Sequence, residues 1–362
     1  MPKVAIYDPY LNTLGGGERY LLSIAEILLT RGWQVDLFWS GPQTYLDQAQ
    51  KIFSLKLDNL RLVPDIFNHH TPLIRRLLFL RQYDLVVYVS DGSLPFLSAR
   101  QNIVHVQTPL QGKTNLKDLL LNQLKLLFVN KVIFNSQFTL NHTGYIPLSK
   151  SAILYPPVDV AKFKPGPKQN LILSVGRFDN ILNAKKQDVL IKAFKQLVDK
   201  GHLQNWKLVL AGGSVQAPPK NRYLHHLRRL AQNYPIEFVI KPDFASIKKL
   251  YSSAKIFWHA AGYQVDANRH PEATEHFGIV VVEAMASGAV PLVVCQGGLP
   301  EIVKPNHNGF LWQTLDDLRE QTIFLTKHPQ ILQKISTRAI ADSQKFSKTN
   351  FQKNIFKLIS TS

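Results

Sequence analysis

The sequence predicts an α/β protein of two doubly wound domains, and three observations lead there. The chain has 362 residues, beyond the roughly 100–200 of a domain with a single core. Strand-like apolar runs alternate with helical stretches through both halves, the order that builds a parallel sheet covered by helices. Between the halves, Tyr155-Pro156-Pro157-Val158-Asp159 and Lys164-Pro165-Gly166-Pro167 are too rich in proline to continue a helix or a sheet, and they read as a linker. Domains are therefore expected at 1–160 and 161–344. A terminal helix within 345–362 could pack on either domain, the first being our assignment.

Taken in order, the first half offers strands at Lys3–Tyr7, Gln34–Trp39, Leu85–Val89, Asn102–Val106 and Lys131–Asn135. The second repeats the scheme at Leu171–Val175, Lys207–Ala211, Ile236–Ile240, Ile256–His259 and Val290–Val294. Helices are expected at Gly17–Thr30, Leu116–Phe128 and Asp188–Lys200, with another visible from Glu283 to Ser287 and closed by Gly288. In Lys348–Leu358, the residues Phe351, Ile355, Phe356 and Leu358 make one apolar helical face.

Composition narrows the class. Apolar residues are 45% of the chain, yet runs such as Leu119–Val129 are broken by Asn122, Gln123 and Lys125 and fall short of the ~20 residues of a membrane span. The N-terminus passes directly into a strand pattern without the apolar block of a signal peptide, so a cytoplasmic location is expected. Cys295 is the single cysteine, which excludes an internal disulfide, and its apolar neighbours predict buried packing.

The net charge of +18 is uneven: residues 1–160 carry 15 Lys/Arg against 11 Asp/Glu, and residues 161–362 carry 28 against 14. Such a field attracts phosphates, anionic lipid or nucleic acid alike, or merely keeps the surface soluble. No RNA- or DNA-binding signature accompanies it, and nucleic acid is not an expected partner. Leu73–Arg81 and Leu116–Val129 mix Arg or Lys with large apolar residues. Interfacial helices do this, as do helices packed on a sheet, so peripheral attachment at the inner membrane face stands beside the soluble reading.

Three stretches carry chemistry. Asp8-Pro9-Tyr10 and Leu14-Gly15-Gly16-Gly17-Glu18-Arg19 lie between the first strand and the first long helix. Three glycines lacking Cβ let helix-start amides approach a phosphate or sugar. This is not the dinucleotide fingerprint, which needs a different glycine spacing and an acid after the next strand, whereas Asp36 lies inside it. Next, Ser174-Val175-Gly176-Arg177 with Lys185-Lys186 places cations at the C-terminal end of a strand, where doubly wound sheets bind ligands. Two fixed cations there would neutralise a departing diphosphate, although such a pair on a surface loop is more often only solvated.

The third and most informative stretch runs from Glu275-His276-Phe277-Gly278-Ile279 to Glu283-Ala284-Met285-Ala286. Two carboxylates eight residues apart bracket a glycine turn and a helix start, and both can accept from hydroxyls of one ligand. Amides around Gly278 suit a phosphate. His105 ends an apolar strand at the rim where a crevice is expected, with Asp91-Gly92 and Asn135-Ser136 as companions. None of the His, Asp and Glu groupings has metal-ligand spacing, and adjacent pairs such as His69-His70 and His225-His226 do not easily share an ion, so no metal or cofactor is expected.

With these motifs assembled, the chain resembles family 4 of the retaining glycosyltransferases, with likeness running from the triple glycine through Gly176-Arg177 and Lys185 to the acids Glu275 and Glu283. Tyr155-Pro156-Pro157-Val158-Asp159, Asn135-Ser136-Gln137-Phe138-Thr139 and Gly297-Gly298-Leu299-Pro300-Glu301 are similar to the lipid-linked-oligosaccharide mannosyltransferase branch. The resemblance implies the GT-B fold: two Rossmann-like doubly wound parallel-sheet domains facing a central cleft. It implies a nucleotide sugar as donor, no metal, and a glycan, lipid-linked or small-molecule acceptor. By resemblance, Glu275 holds donor-sugar hydroxyls with the amides of Gly278 and Ile279, and Glu283 binds the ribose diol. Arg177 and Lys185 take the diphosphate, which Gly16 and Gly17 approach from the other domain, and His105 contacts the sugar through main chain or ring. Between Arg177 and Lys185 the segment Phe178–Ala184 is longer than the common spacing, which leaves Lys185 or Lys186 as the phosphate ligand. The long polar stretch Gly262–Ala273, with Asp266, Arg269, His270 and Glu272, is expected to select donor or acceptor and to order on binding. A nucleotide-sugar epimerase, a phosphorylase and a catalytically silent nucleotide-sugar-binding subunit are the rival readings.

Overall fold

The computed structural model describes residues 1–90, 92, 94–109, 116–180, 184–213 and 221–360. The chain divides into two compact units, Met1–Pro157 with Thr349–Ser362, and Val158–Lys348. Each is a parallel sheet with helical crossovers.

Unit 1 runs β1 (Lys3–Tyr7), α1 (Gly16–Thr30), β2 (Gln34–Phe38), α2 (Thr44–Phe53), β3 (Arg61–Val63), α3 (Leu73–Leu80), β4 (Leu85–Ser90), β5 (Gln101–Val106), α4 (Leu116–Leu126), β6 (Lys131–Phe134), α5 (Gln137–Asn141) and β7 (Ser151–Ile153). Among the described residues its seven strands lie in the order β3-β2-β1-β4-β5-β6-β7, all parallel. Because strand side chains alternate between faces, the sheet carries two cores. Val4 and Ile6 of β1 join one with Leu21, Leu22 and Leu28 of α1. Ala5 joins the other with Leu80 of α3 and Leu126 of α4.

Unit 2 runs β8 (Gln169–Val175), α6 (Gln187–Asp199), β9 (Lys207–Gly212), α7 (Arg222–Ala231), β10 (Ile236–Ile240), α8 (Phe244–Ser253), β11 (Ala254–His259), α9 (Ile279–Ala286), β12 (Val290–Val294), α10 (Leu299–Ile302), β13 (Phe310–Trp312), α11 (Leu315–Lys327) and α12 (Pro329–Ser343). Its strand order is β10-β9-β8-β11-β12-β13, again all parallel. The last helix, α13 (Lys348–Ser360), returns to unit 1, where Phe351, Ile355 and Ile359 are buried in the α1 core. Phe351 meets the Tyr20 ring edge-on at 5.3 Å.

The order of strands sets where ligands can bind. In unit 1 the chain winds outward from β1 in one direction and from β4 in the other, and in unit 2 it does so from β8 and β11. Crevices open at the C-terminal ends of such strand pairs.

Three short strands escaped the sequence reading: β3, β7 and β13 each have three residues, too few for a periodicity. The helix expected from Glu283 begins four residues earlier, at Ile279. Its β-branched opening, Ile279-Val280-Val281-Val282, reads as strand, but α9 is apolar almost all round and packs against α12, and burial overrides propensity. Cys295 is half-buried rather than buried, since it lies just past the end of β12.

Candidate active site

Unit 2 gathers its chemistry at its switch point. Gly176 and Arg177 follow the end of β8, and His259 is the last residue of β11. Lys185, just before α6, crosses in front of β8, and a Cβ on Gly176 would lie 2.6 Å from its Cγ, so only glycine lets that stem pass. The Lys185 Nζ reaches Glu275 Oε2 at 2.6 Å, and His259 Nε2 reaches the same oxygen at 3.1 Å. Both contacts fall on Oε2, which leaves Oε1 to a ligand hydroxyl.

These contacts decide the charges. Burial works to raise the Glu275 pKa, but the Lys185 ammonium and the His259 hydrogen bond outweigh it and hold the carboxyl well below the usual range. Glu275 is therefore an ionised acceptor, suited to sugar hydroxyls. The His259 pKa is lowered as well, by burial foremost and despite Glu275, which leaves the ring neutral. A neutral ring facing a carboxylate must carry its proton on Nε2 to donate it.

Gly278 caps α9 with φ +110°, a left-handed backbone that side chains resist. The first intrahelical bonds come from Val281 and Val282 to the Gly278 carbonyl, so the amides of Gly278, Ile279 and Val280 precede the ladder. A Cβ on Gly278 would stand 3.6 Å from Glu275 Cγ, which sets the stem of Glu275 against the glycine turn that opens α9. Glu283 lies one turn beyond Ile279, on the same helix side, and is buried. Tyr251 of α8 donates to its Oε2 at 3.1 Å.

The structure brings Lys185 against Glu275 and the stem of Glu275 against Gly278, whereas Arg177 pairs elsewhere. The Arg177 guanidinium is 56% exposed and pairs with Asp179 at 3.4 Å. The lengthened loop supplies that local counter-ion, and because Asp179 is buried the pair is exposed only on the arginine side, so moving Arg177 away would leave a buried carboxylate. Positions 181–183 of the loop lie outside the described residues. Asp266 pairs with Arg269 at 3.4 Å and Glu272 with His270 at 3.3 Å, all on exposed surface. Two participants were missed. Gln187, buried at the start of α6, donates to the Arg177 carbonyl at 2.9 Å and braces the loop. His259 carries the same local signal as His105, a histidine at or next to the end of an apolar strand.

Unit 1 is built differently. Leu14 takes a left-handed φ of 49°, Gly15 caps α1, and Glu18 Oε2 accepts from the Gly15 amide at 2.6 Å and from Thr13 Oγ1 at 2.7 Å. Gly16 opens the helix, and the amide end of the Gln107 side chain fills the space where a Cβ on Gly17 would stand. Asp8, just past β1, is buried. Its Oδ1 accepts from the Tyr10 amide, and its Oδ2 has no partner.

The expectation for His105 needs correction. Its ring is fully buried rather than set at a rim, stacked on Tyr20 with centroids 4.0 Å apart, with Nδ1 3.3 Å from the Ile133 carbonyl. Burial brings its pKa down to about 3. Side chains alternate along β5, and residue 105 falls on the face covered by α1; only its main chain remains a candidate contact. Asn135 and Ser136 serve the turn into α5, where Ser136 Oγ accepts from the Thr139 amide. Asp91 lies outside the described residues. Among the described residues no group of three or more His, Cys, Asp and Glu could hold a metal ion.

Comparison with known proteins gives this geometry its class. The family model for glycosyl transferases group 1 matches residues 158–342, and that for Glycosyltransferase Family 4 matches residues 14–162. The chain belongs to the group 1 glycosyl transferases. It is 29% identical over 253 residues to a GDP-Man:Man(3)GlcNAc(2)-PP-Dol alpha-1,2-mannosyltransferase of Dictyostelium discoideum, covering 64% of this chain and 47% of the relative. The chain thus spans about half the length of that relative. An uncharacterized glycosyltransferase of Haemophilus influenzae is 24% identical over 365 residues, with 94% of each covered. Among solved structures, Anabaena HepE in complex with UDP superposes with a TM-score of 0.77 at 20% identity, with 100% of each chain covered, a likeness of fold that makes this a GT-B protein.

Proposed function

We propose that the chain is a retaining hexosyltransferase that moves a mannose- or glucose-type sugar from a nucleotide diphosphate to a hydroxyl of a glycan, lipid-linked or small-molecule acceptor, with no metal. The observation that carries this reading is the Glu275 carboxylate, held ionised by Lys185 and His259, with its stem against the glycine turn that opens α9. Glu275 Oε1 would accept from donor-sugar hydroxyls, and Glu283 from the ribose diol. The Gly278 and Ile279 amides and the Lys185 ammonium would neutralise the departing diphosphate, with Arg177 released from Asp179 as a second cation. On unit 1, the amides at Gly16 and Gly17 suit the same class of ligand.

Retention follows from attack on the face the leaving group vacates. The bond from the anomeric carbon to phosphate oxygen breaks, the bond to acceptor oxygen forms, and the acceptor proton passes to the leaving phosphate. Mannose is favoured by the activity for which the Dictyostelium relative is named, while the UDP bound to HepE keeps uridine donors in the comparison.

The test is a screen of GDP-mannose against UDP-sugars, scored by donor turnover and thermal stabilisation, with Glu275→Gln and Lys185→Ala alongside. One donor class should stabilise the unaltered chain and turn over. Both variants should fold, shown by unchanged circular dichroism, and lose on the order of 10²–10³ in kcat, the usual effect of removing a charge-stabilising group. Full turnover in either variant would end the assignment of roles, and stabilisation without turnover of any donor would favour the silent binding subunit.

A further inference from the structure

The outward surface of α3 and α4 is not used by the donor site. Among the described residues, nine of the sixteen exposed large hydrophobic side chains lie within 73–79 and 120–128, and the rest are scattered. Ile74 is 74% exposed, Leu78 60%, Leu120 63% and Leu127 73%, in the company of Leu124 and Phe128. Within α4 the usual distribution is inverted: Asn122 is buried while leucines face outward. A helix meeting water on that side would show the reverse.

Both helices cover one face of the seven-stranded sheet, since Leu80 of α3 and Leu126 of α4 share a core with Val86, Val104 and Val132. At one point the two helices approach closely enough that the Arg76 charge joins burial in lowering the Lys125 pKa. Arg75, Arg81 and Lys117 are exposed among the apolar side chains, while Arg76 lies over Phe67 and Lys125 over Phe96, and Asp118 is the one acid in the two helical sequences. We propose that the outward sides of α3 and α4 form a docking face for an anionic lipid bilayer, with leucines and Ile74 entering the acyl boundary and the basic side chains meeting phosphates. A second copy of the chain is a poorer occupant, because a two-fold pair would set like charges against each other. An anionic bilayer matches both components at once. The inference stands apart from sugar transfer and holds whichever donor is used.

Co-sedimentation of the full chain with vesicles of phosphatidylcholine mixed with phosphatidylglycerol, against phosphatidylcholine alone, tests it at low and high salt. Binding should require the anionic lipid and weaken with salt. The pair Arg75→Glu and Arg81→Glu should lower the partition by about tenfold or more. The pair Leu124→Glu and Leu127→Glu should do the same while leaving the melting temperature unchanged, because both side chains are exposed. Vesicle binding equal in the variants and the unaltered chain would overturn the proposal. So would no binding to any vesicle, including the case where the leucine variant turns a dimer into a monomer, which would assign the face to a second copy.

Discussion

Asp8 is the residue whose setting most departs from its ordinary chemistry. Burial, followed by the nearby Glu18 charge, pushes its carboxyl up from 3.8 to about 7, against the pull of the Tyr10 amide. The folded chain then binds this proton more tightly than the unfolded chain. The resulting stability is complete below about pH 4 and is lost as the pH rises through about 7, where the fold must carry a buried charge. Asp8→Asn keeps the shape and removes the charge. Urea denaturation at pH 8 should show the variant more stable by up to about 4 kcal/mol, with the gap closing toward pH 4. A gap independent of pH would mean that the carboxyl is not held protonated by burial. The residue scale is also where sequence reading was weakest. His105 and His259 have the same local pattern, an apolar strand closing on histidine, yet one ring stacks on Tyr20 in a core and the other donates to Glu275. Strand parity and the element packed on each face separate them, and neither is written in the few residues on either side.

Among the elements, α9 carries the most. Its glycine cap, buried length and open amides depend on Gly278 holding φ +110°, and a Cβ there would also press to 2.8 Å from Leu299 Cδ2. Gly278→Ala should cost about 1–3 kcal/mol in denaturant unfolding and weaken donor binding, measured as a higher Kd by calorimetry, because the helix start must shift. Unchanged stability and Kd would show that the turn relaxes without consequence. The motif around this element was legible because a glycine between two acids, ahead of small packing residues, is a local pattern. The same glycine turn marked the helix start, although the run of Ile and Val behind it favours a strand until surrounding helices bury all sides of it.

For the whole molecule, the return of α13 to unit 1 is a long-range commitment, since it joins the end of the chain to the core built by its beginning. Phe351, Ile355 and Ile359 bury three apolar side chains against the α1 side of the sheet. At ~2 kcal/mol each they contribute on the order of 6 kcal/mol, comparable to the entire stability of a domain. A chain ended after Lys348 should lose hydrogen-exchange protection in β1, β5 and α1 while β8, β11 and α9 keep theirs. Equal protection in both chains would show that the helix is dispensable. The apolar face of this helix was visible in its spacing, but its destination was not, since Phe351 and Ile355 would suit either sheet.

The sequence by itself determined the alternation of strands and helices, the proline-rich break between the halves, and the residue types able to bind a sugar nucleotide. These depend on local periodicity and composition, which are properties of neighbours along the chain. Tertiary structure decided which of those residues meet: Lys185 and Glu275, ninety residues apart, share a hydrogen bond, and His259 joins them across sixteen. The physical reason is strand order, because a doubly wound sheet reverses at β8 and β11 and brings distant strand ends side by side, where burial and charge then set each proton.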